Sequence, residues 1–174
     1  MPDIVPEDDP IDGVLYNPPV TVTNVAVLDN PAPFLHPFQF SIAFECYATV
    51  QHDLEWRVIY VGFPENDGAD QCLENVVFEG PIPVGIYKFI LEAKAPDPNL
   101  IPEVDKIGSS AIILQCSYQR QIFYHRGYFL NNEYDDEKLI KDPPVTVKVD
   151  QLRRDILTDL AVVIYAPIKL NGID

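Results

Sequence analysis

The sequence predicts an all-β protein, an antiparallel sandwich or barrel, and three observations carry that expectation. Apolar residues fall on alternate positions in one segment after another. The stretches between those segments are dense in Pro, Gly, Asn and Asp. Helical periodicity is almost absent, so the alternating strand and helix order of a parallel sheet has nothing to build on.

Residues 1–18 hold five acids and four prolines, counting Pro18, with few large apolar groups, so they are expected to form a disordered acidic arm. One domain is then expected over 19–170, with 171–174 a short carboxyl-terminal end. Alternation begins at Val20 and Val22 and becomes strict at Phe38, Phe40, Ile42, Phe44 and Cys46, with Gln39, Ser41 and Glu45 between them. Leu54, Trp56, Val58 and Tyr60 repeat it. So do Tyr87, Phe89, Leu91 and Ala93, and again Ser110, Ile112, Leu114, Cys116 and Tyr118. Turn chemistry separates them at Asp29-Asn30-Pro31-Ala32-Pro33, at Gly80 to Gly85, and at Ala95-Pro96-Asp97-Pro98-Asn99. Short helices are expected in two loops. Asp135 to Lys141 opens on acids and closes on Lys138 and Lys141 before Pro143-Pro144, and Asp150 to Leu157 can cap itself with Asp150.

A chain of 174 residues supports one core of ordinary size. Its 47% hydrophobic and 11% aromatic content is enough to offset chain entropy. The formal charge is -15, and from Met1 to Tyr87 fourteen Asp and Glu face the single cation Arg57. Duplex DNA is repelled by such a surface, and the longest basic run is Arg153-Arg154. A basic protein partner suits the charge better. Cys46, Cys72 and Cys116 are odd in number and form no Cys-x-x-Cys pair, which fits free buried thiols in a reducing compartment. The first residues lack a signal peptide's basic start and apolar run, and no stretch approaches a membrane span, so a soluble intracellular protein without membrane contact is expected.

Enzyme chemistry is hard to place. Ser41, Ser109, Ser110 and Ser117 stand in no G-x-S-x-G context, and His36, His52 and His125 in no metal-ligand spacing. With eight glycines the chain offers no phosphate-cradling loop, so no cofactor or metal is expected. What remains are apolar residues that alternation sends outward, Ile90, Ile113 and Phe129. Taken together they suggest an apolar patch rimmed by acids, a common mark of a protein interface.

Five segments, VAVLDNPAPFLHPFQFSIAFEC, DLEWRVIYVG, GPIPVGIYKF, APDPNLIP and GYFLNNEY, resemble the anti-silencing-function histone chaperones in order and spacing, from about Val20 to about Leu157. The resemblance implies an immunoglobulin-like sandwich that catalyses no reaction. It implies a nuclear protein with a cytoplasmic pool, expected as a monomer, that binds the histone H3/H4 dimer and passes it to assembly factors in nucleosome assembly and disassembly. The competing class is an immunoglobulin-like scaffold without histone specificity; the net charge and the DLEW and NNEY segments favour the chaperone.

By the same resemblance, the H3-binding positions fall on Asp70, Asp105, Ile107, Ala111, Ile113, His125 and Phe129. Two depart from the family's pattern. Ala111 stands in place of a valine and buries less apolar surface. His125 stands in place of an arginine, and the neighbouring Arg126 supplies that charge only if its side chain reaches the same face, which strand alternation opposes. The H4 tail is expected to add a strand along Leu160 to Ala166, through Leu160, Ala161, Val162, Val163 and Ile164, with Tyr128 nearby. Val162 and Ile164 replace residues that relatives tend to carry as Arg and Thr. Basic peptides of assembly factors are expected at His52, Asp53, Glu55, Glu74, Val77, Phe78 and Phe89. There His52 replaces an acid, so the attraction is expected to weaken and to vary with pH.

Overall fold

The structure is a computed structural model, and it describes residues 18–62 and 70–168. Apart from Pro18, the predicted acidic arm lies outside the described residues, as do 63–69 and the predicted end at 171–174.

Each segment with strict alternation is a strand, and the predicted apolar side faces in. Strand β1 is Val20–Leu28, β2 is Ala32–Pro33, β3 is Phe38–Cys46 and β4 is Leu54–Val61. Next come β5 (Asp70–Phe78), β6 (Gly85–Ala93), β7 (Gly108–Tyr118) and β8 (Gln121–Tyr134). After helix α1 (Glu137–Lys141) follow β9 (Leu152–Ile156) and β10 (Val162–Tyr165).

Among the described residues the strands make two antiparallel sheets, one ordered β1-β3-β6 and the other β2-β9-β8-β7-β4-β5 with β10 beside β8. They pack as an immunoglobulin-like sandwich. Between them, Phe38, Phe40 and Phe44 of β3 meet Tyr60, Tyr128 and Trp56 of the larger sheet, with ring centroids 6.0 to 6.4 Å apart. Offset and tilted aromatic pairs at such distances add to area burial, which explains why β3 tolerates so many rings in a row.

Two strands escaped alternation. In β5 the pairing with β4 slips between Val58 and Ile59, so Leu73 is an extra buried residue and the parity of the strand reverses there. In β8 the inward row includes Asn132, a polar residue whose amide donates to the Tyr60 hydroxyl at 3.0 Å. A buried amide that donates to a buried hydroxyl reads as surface in a sequence.

The helix expected over Asp150 to Leu157 does not form. Val149–Gln151 make one 3-10 turn and Leu152–Ile156 are strand β9, with Leu152, Arg154 and Ile156 all buried. Those residues are two apart, and pairing with both β8 and β2 satisfies the backbone of the segment. Arg154 is only 3% exposed, and its guanidinium donates to the carbonyls of Phe34, His36 and Pro37 at 3.3, 2.6 and 2.7 Å. Helix α1 does form, with the Asp136 side chain capping the Lys138 amide at 2.8 Å.

Candidate functional site

The sheet registers assemble side chains that are far apart in sequence. Residues paired across neighbouring strands project to the same side. Asp70 pairs with Val61, Val61 with Ala111, and Ala111 with Phe129. These four therefore form a row, about 14 Å across at the usual strand spacing, on the outer face of the larger sheet. A second row runs Cys72, Ile59, Ile113, Gly127 and Val162, and a third runs Asn75, Arg57, Gln115, His125 and Ile164.

The first two rows are apolar in the middle, and the first ends on the acid Asp70. Phe129 is 54% exposed, while Ala111, Ile113, Ile59 and Val61 are half-buried by one another. Gly127 leaves a dip between Ile113 and Val162; a Cβ built there would meet only the His125 ring nitrogen Nε2, at 3.8 Å. Gly127 was invisible as a site residue in the sequence, because only the register shows what stands on either side of it. Asp105 and Ile107 approach the start of β7, Ile107 with 38% of its surface exposed. Beside them Lys106 donates to Glu103 at 2.9 Å, and this bond, followed by one from the Val147 amide, holds the Glu103 carboxyl below its ordinary range.

Of the positions expected to bind H3, Asp70, Ala111, Ile113, His125 and Phe129 share this outer face, and Asp105 and Ile107 lie just before the start of β7. Arg126 does not join them. Its Nε donates to the Tyr128 hydroxyl at 2.6 Å and a terminal nitrogen reaches the Tyr124 hydroxyl at 3.4 Å, both on the opposite side of β8. Burial pulls the Arg126 pKa down, but the two phenol oxygens more than offset this and leave it above the ordinary guanidinium value.

Strand β10 pairs with β8 from Val162 opposite Gly127 to Tyr165 opposite Tyr124, and no other described strand pairs with it. Its Val162, Val163, Ile164 and Tyr165 are all exposed. Leu160 ends a 3-10 turn just before it and is exposed, whereas Ala161 packs on the core. Tyr128 is 2% exposed and stacked on Phe40, so it supports β8 from beneath. Sequence reasoning missed an apolar hollow of about 230 Å³ beside β10, lined by Pro18, Val20, Phe123, Tyr165, Ala166, Pro167 and Ile168. These residues come from three separate parts of the chain.

A second cleft, of about 360 Å³, opens at the other end of the outer face and is lined by His52, Asp53, Glu55, Val77, Ser117, Gln119 and Arg120. The Asp53 carboxylate accepts from the Gly80 amide at 2.8 Å, and Glu55 accepts from the Asn75 amide at 2.5 Å. His52 lies against Tyr118, ring centroids 6.1 Å apart. Glu74, Phe78 and Phe89 sit elsewhere: Glu74 and Phe78 pair with the inward residues Val58 and Leu54, and Phe78 meets Phe89 edge-on at 4.8 Å. The expected peptide-binding residues are therefore divided between the outer face and the sandwich edge where β5 nears β6.

Among the described residues no group of three or more His, Cys, Asp or Glu could hold a metal, and no helix is long and apolar enough to cross a membrane.

The family model described as ASF1 like histone chaperone matches residues 17–171. Histone chaperone ASF1B of Arabidopsis thaliana is 49% identical over 152 residues, 87% of this chain and 69% of the relative. Probable histone chaperone ASF1A of the same plant is 48% identical, covering 87% of this chain and 77% of its own. Histone chaperone ASF1B of Mus musculus is 47% identical over 138 residues, 79% of this chain and 68% of the mouse protein. With nearly all of the sandwich matched, including every strand that builds the apolar rows, the chain belongs to the ASF1-like histone chaperone family.

Proposed function

We propose that the chain binds one histone H3/H4 dimer on the outer face of its larger sheet and hands it to assembly factors in nucleosome assembly and disassembly. The observation that carries this reading is the row Asp70, Val61, Ala111 and Phe129 with Ile59 and Ile113 beside it, apolar at its centre and acidic at one end. A basic histone with an apolar helical face complements both properties: burial supplies affinity and charge supplies approach and orientation. The edge of β10 that no described strand covers suits the H4 tail as an added strand, and the hollow beside it suits an apolar side chain of that tail. The cleft at Asp53 and Glu55 suits the basic peptide of an assembly factor. In this reading the protein is a nuclear monomer, with a cytoplasmic pool, that catalyses no reaction.

Sizing by light scattering tests it. Mixed with H3 and H4 at moderate salt, the chain is expected to elute with one H3/H4 dimer per copy. A bound H3/H4 tetramer, or no complex, overturns the reading.

A further inference from the structure

The cleft at Asp53 and Glu55 carries two features that a receptor for purely basic peptides does not need. Both are cations. Arg120 lines the cleft, and also lines the adjoining hollow with Glu55, Arg57, Gln115, Ser117 and Ile122. Arg57 already approaches Glu55, its Nε 3.6 Å from the carboxylate. The outer face here thus sets two guanidinium groups beside two carboxylates, and a peptide bearing only arginines meets repulsion as well as attraction.

Arg120 is also held in place by its backbone. Tyr118 and Gln121 pair directly, so Gln119 and Arg120 alone make the turn of the β7–β8 hairpin, with φ of 48° and 67°. A two-residue turn of that kind requires the left-handed region at both positions and is usually built from Asn and Gly. Here it is built from Gln and Arg, and the short loop launches the Arg120 side chain from a fixed point at the cleft's rim. Among the described residues Arg120 makes no hydrogen bond or ion pair, which leaves its guanidinium available to a ligand.

We infer that this cleft selects a peptide of mixed charge, one whose basic residue meets Asp53 and Glu55 and whose neighbouring Asp or Glu meets Arg120. The inference rests on the reading of the cleft as a peptide-binding surface and specifies what that peptide must carry. Arg120 is the specificity-determining residue; Asp53 and Glu55 set affinity for the basic residue.

Titration calorimetry on the full chain tests this with two synthetic peptides, one with a pair of arginines in a neutral context and one with a glutamate added two residues away. The unmodified chain is expected to bind the mixed peptide about three- to fivefold more tightly, the size of a partly exposed ion pair. Arg120→Gly, which the turn's backbone accepts readily, is expected to erase the preference. Arg120→Glu is expected to reverse it. Equal binding of both peptides to the unmodified chain, lost in Asp53→Asn, overturns the charge selection while leaving the peptide surface intact. No binding of either peptide overturns the surface and the selection together.

Discussion

Ala111 is the residue on which the interface reading is easiest to test. It is half-buried at the centre of the outer face, between Val61 and Phe129, and its neighbours Ser110 and Ile112 are the ones that point into the core. Ala111→Arg is therefore expected to abolish histone binding by forcing a charge into a desolvated contact, with the thermal midpoint shifted by no more than about 2 °C. Unfolding of that variant would place Ala111 in the core instead. Arg154 is the opposite case. Burial lowers its pKa to about 10, so at neutral pH it stays charged, held by three backbone carbonyls and lying 3.7 Å over the Phe38 ring. Arg154→Leu would orphan those carbonyls and is expected to cost about 3 kcal/mol in urea denaturation. The cysteines divide in the same way. Burial raises the thiol of Cys46 to about 11 and pushes that of Cys116 well above its ordinary value, whereas Cys72 is exposed on the outer face. Iodoacetamide at pH 8 should modify Cys72 alone in the folded protein and all three after unfolding.

At the scale of elements, the outer face depends on which residues the register brings side by side. Gly127 is the gap in the second row, and its backbone is not in the left-handed region, so a larger residue fits the strand without strain. Gly127→Val is expected to fold at least as stably, since a β-branched residue suits a strand, and to lose at least about tenfold in histone affinity by filling the dip. Equilibrium unfolding and a binding titration separate the two effects. The β7–β8 hairpin offers a second test. Changing Gln119 and Arg120 to Asn and Gly removes two left-handed non-glycine residues and is expected to raise stability by about 1 kcal/mol.

At the scale of the whole molecule, the proposed function assigns the charge of -15 and the apolar rows to different stages of binding. In that proposal, long-range attraction to a basic histone speeds encounter and is screened by salt, whereas burial of the rows holds the complex and is not. Raising salt from about 0.1 M to about 0.5 M is expected to slow association about tenfold while changing dissociation far less, as stopped-flow fluorescence would show. The basic run Arg153-Arg154 does not compete with this picture as a nucleic-acid patch. The two side chains point to opposite sides of β9, and Arg154 is spent inside the protein.

The sequence by itself determined the fold class, because strict alternation in β3, β4, β6 and β7 leaves each strand with one face that must be buried. It also carried the expectation of a surface that is acidic and apolar in part. It did not determine who neighbours whom. Ile90, Ile113 and Phe129 read together as one outward patch, yet Ile90 lies on the smaller sheet and the other two on the larger. Nor could it separate the helix-like spacing of Leu152 and Ile156 from strand β9, since the two patterns coincide over so short a segment and pairing with β8 decided between them. Glu55 and Glu74 look equivalent in sequence, but Glu55 faces outward by the alternation of β4, whereas the slip at Leu73 turns Glu74 toward the sandwich edge. Periodicity is a property of consecutive residues and survives in the sequence. Register, bulges and the packing of one sheet on another are set by contacts between distant residues, and only the tertiary structure contains them.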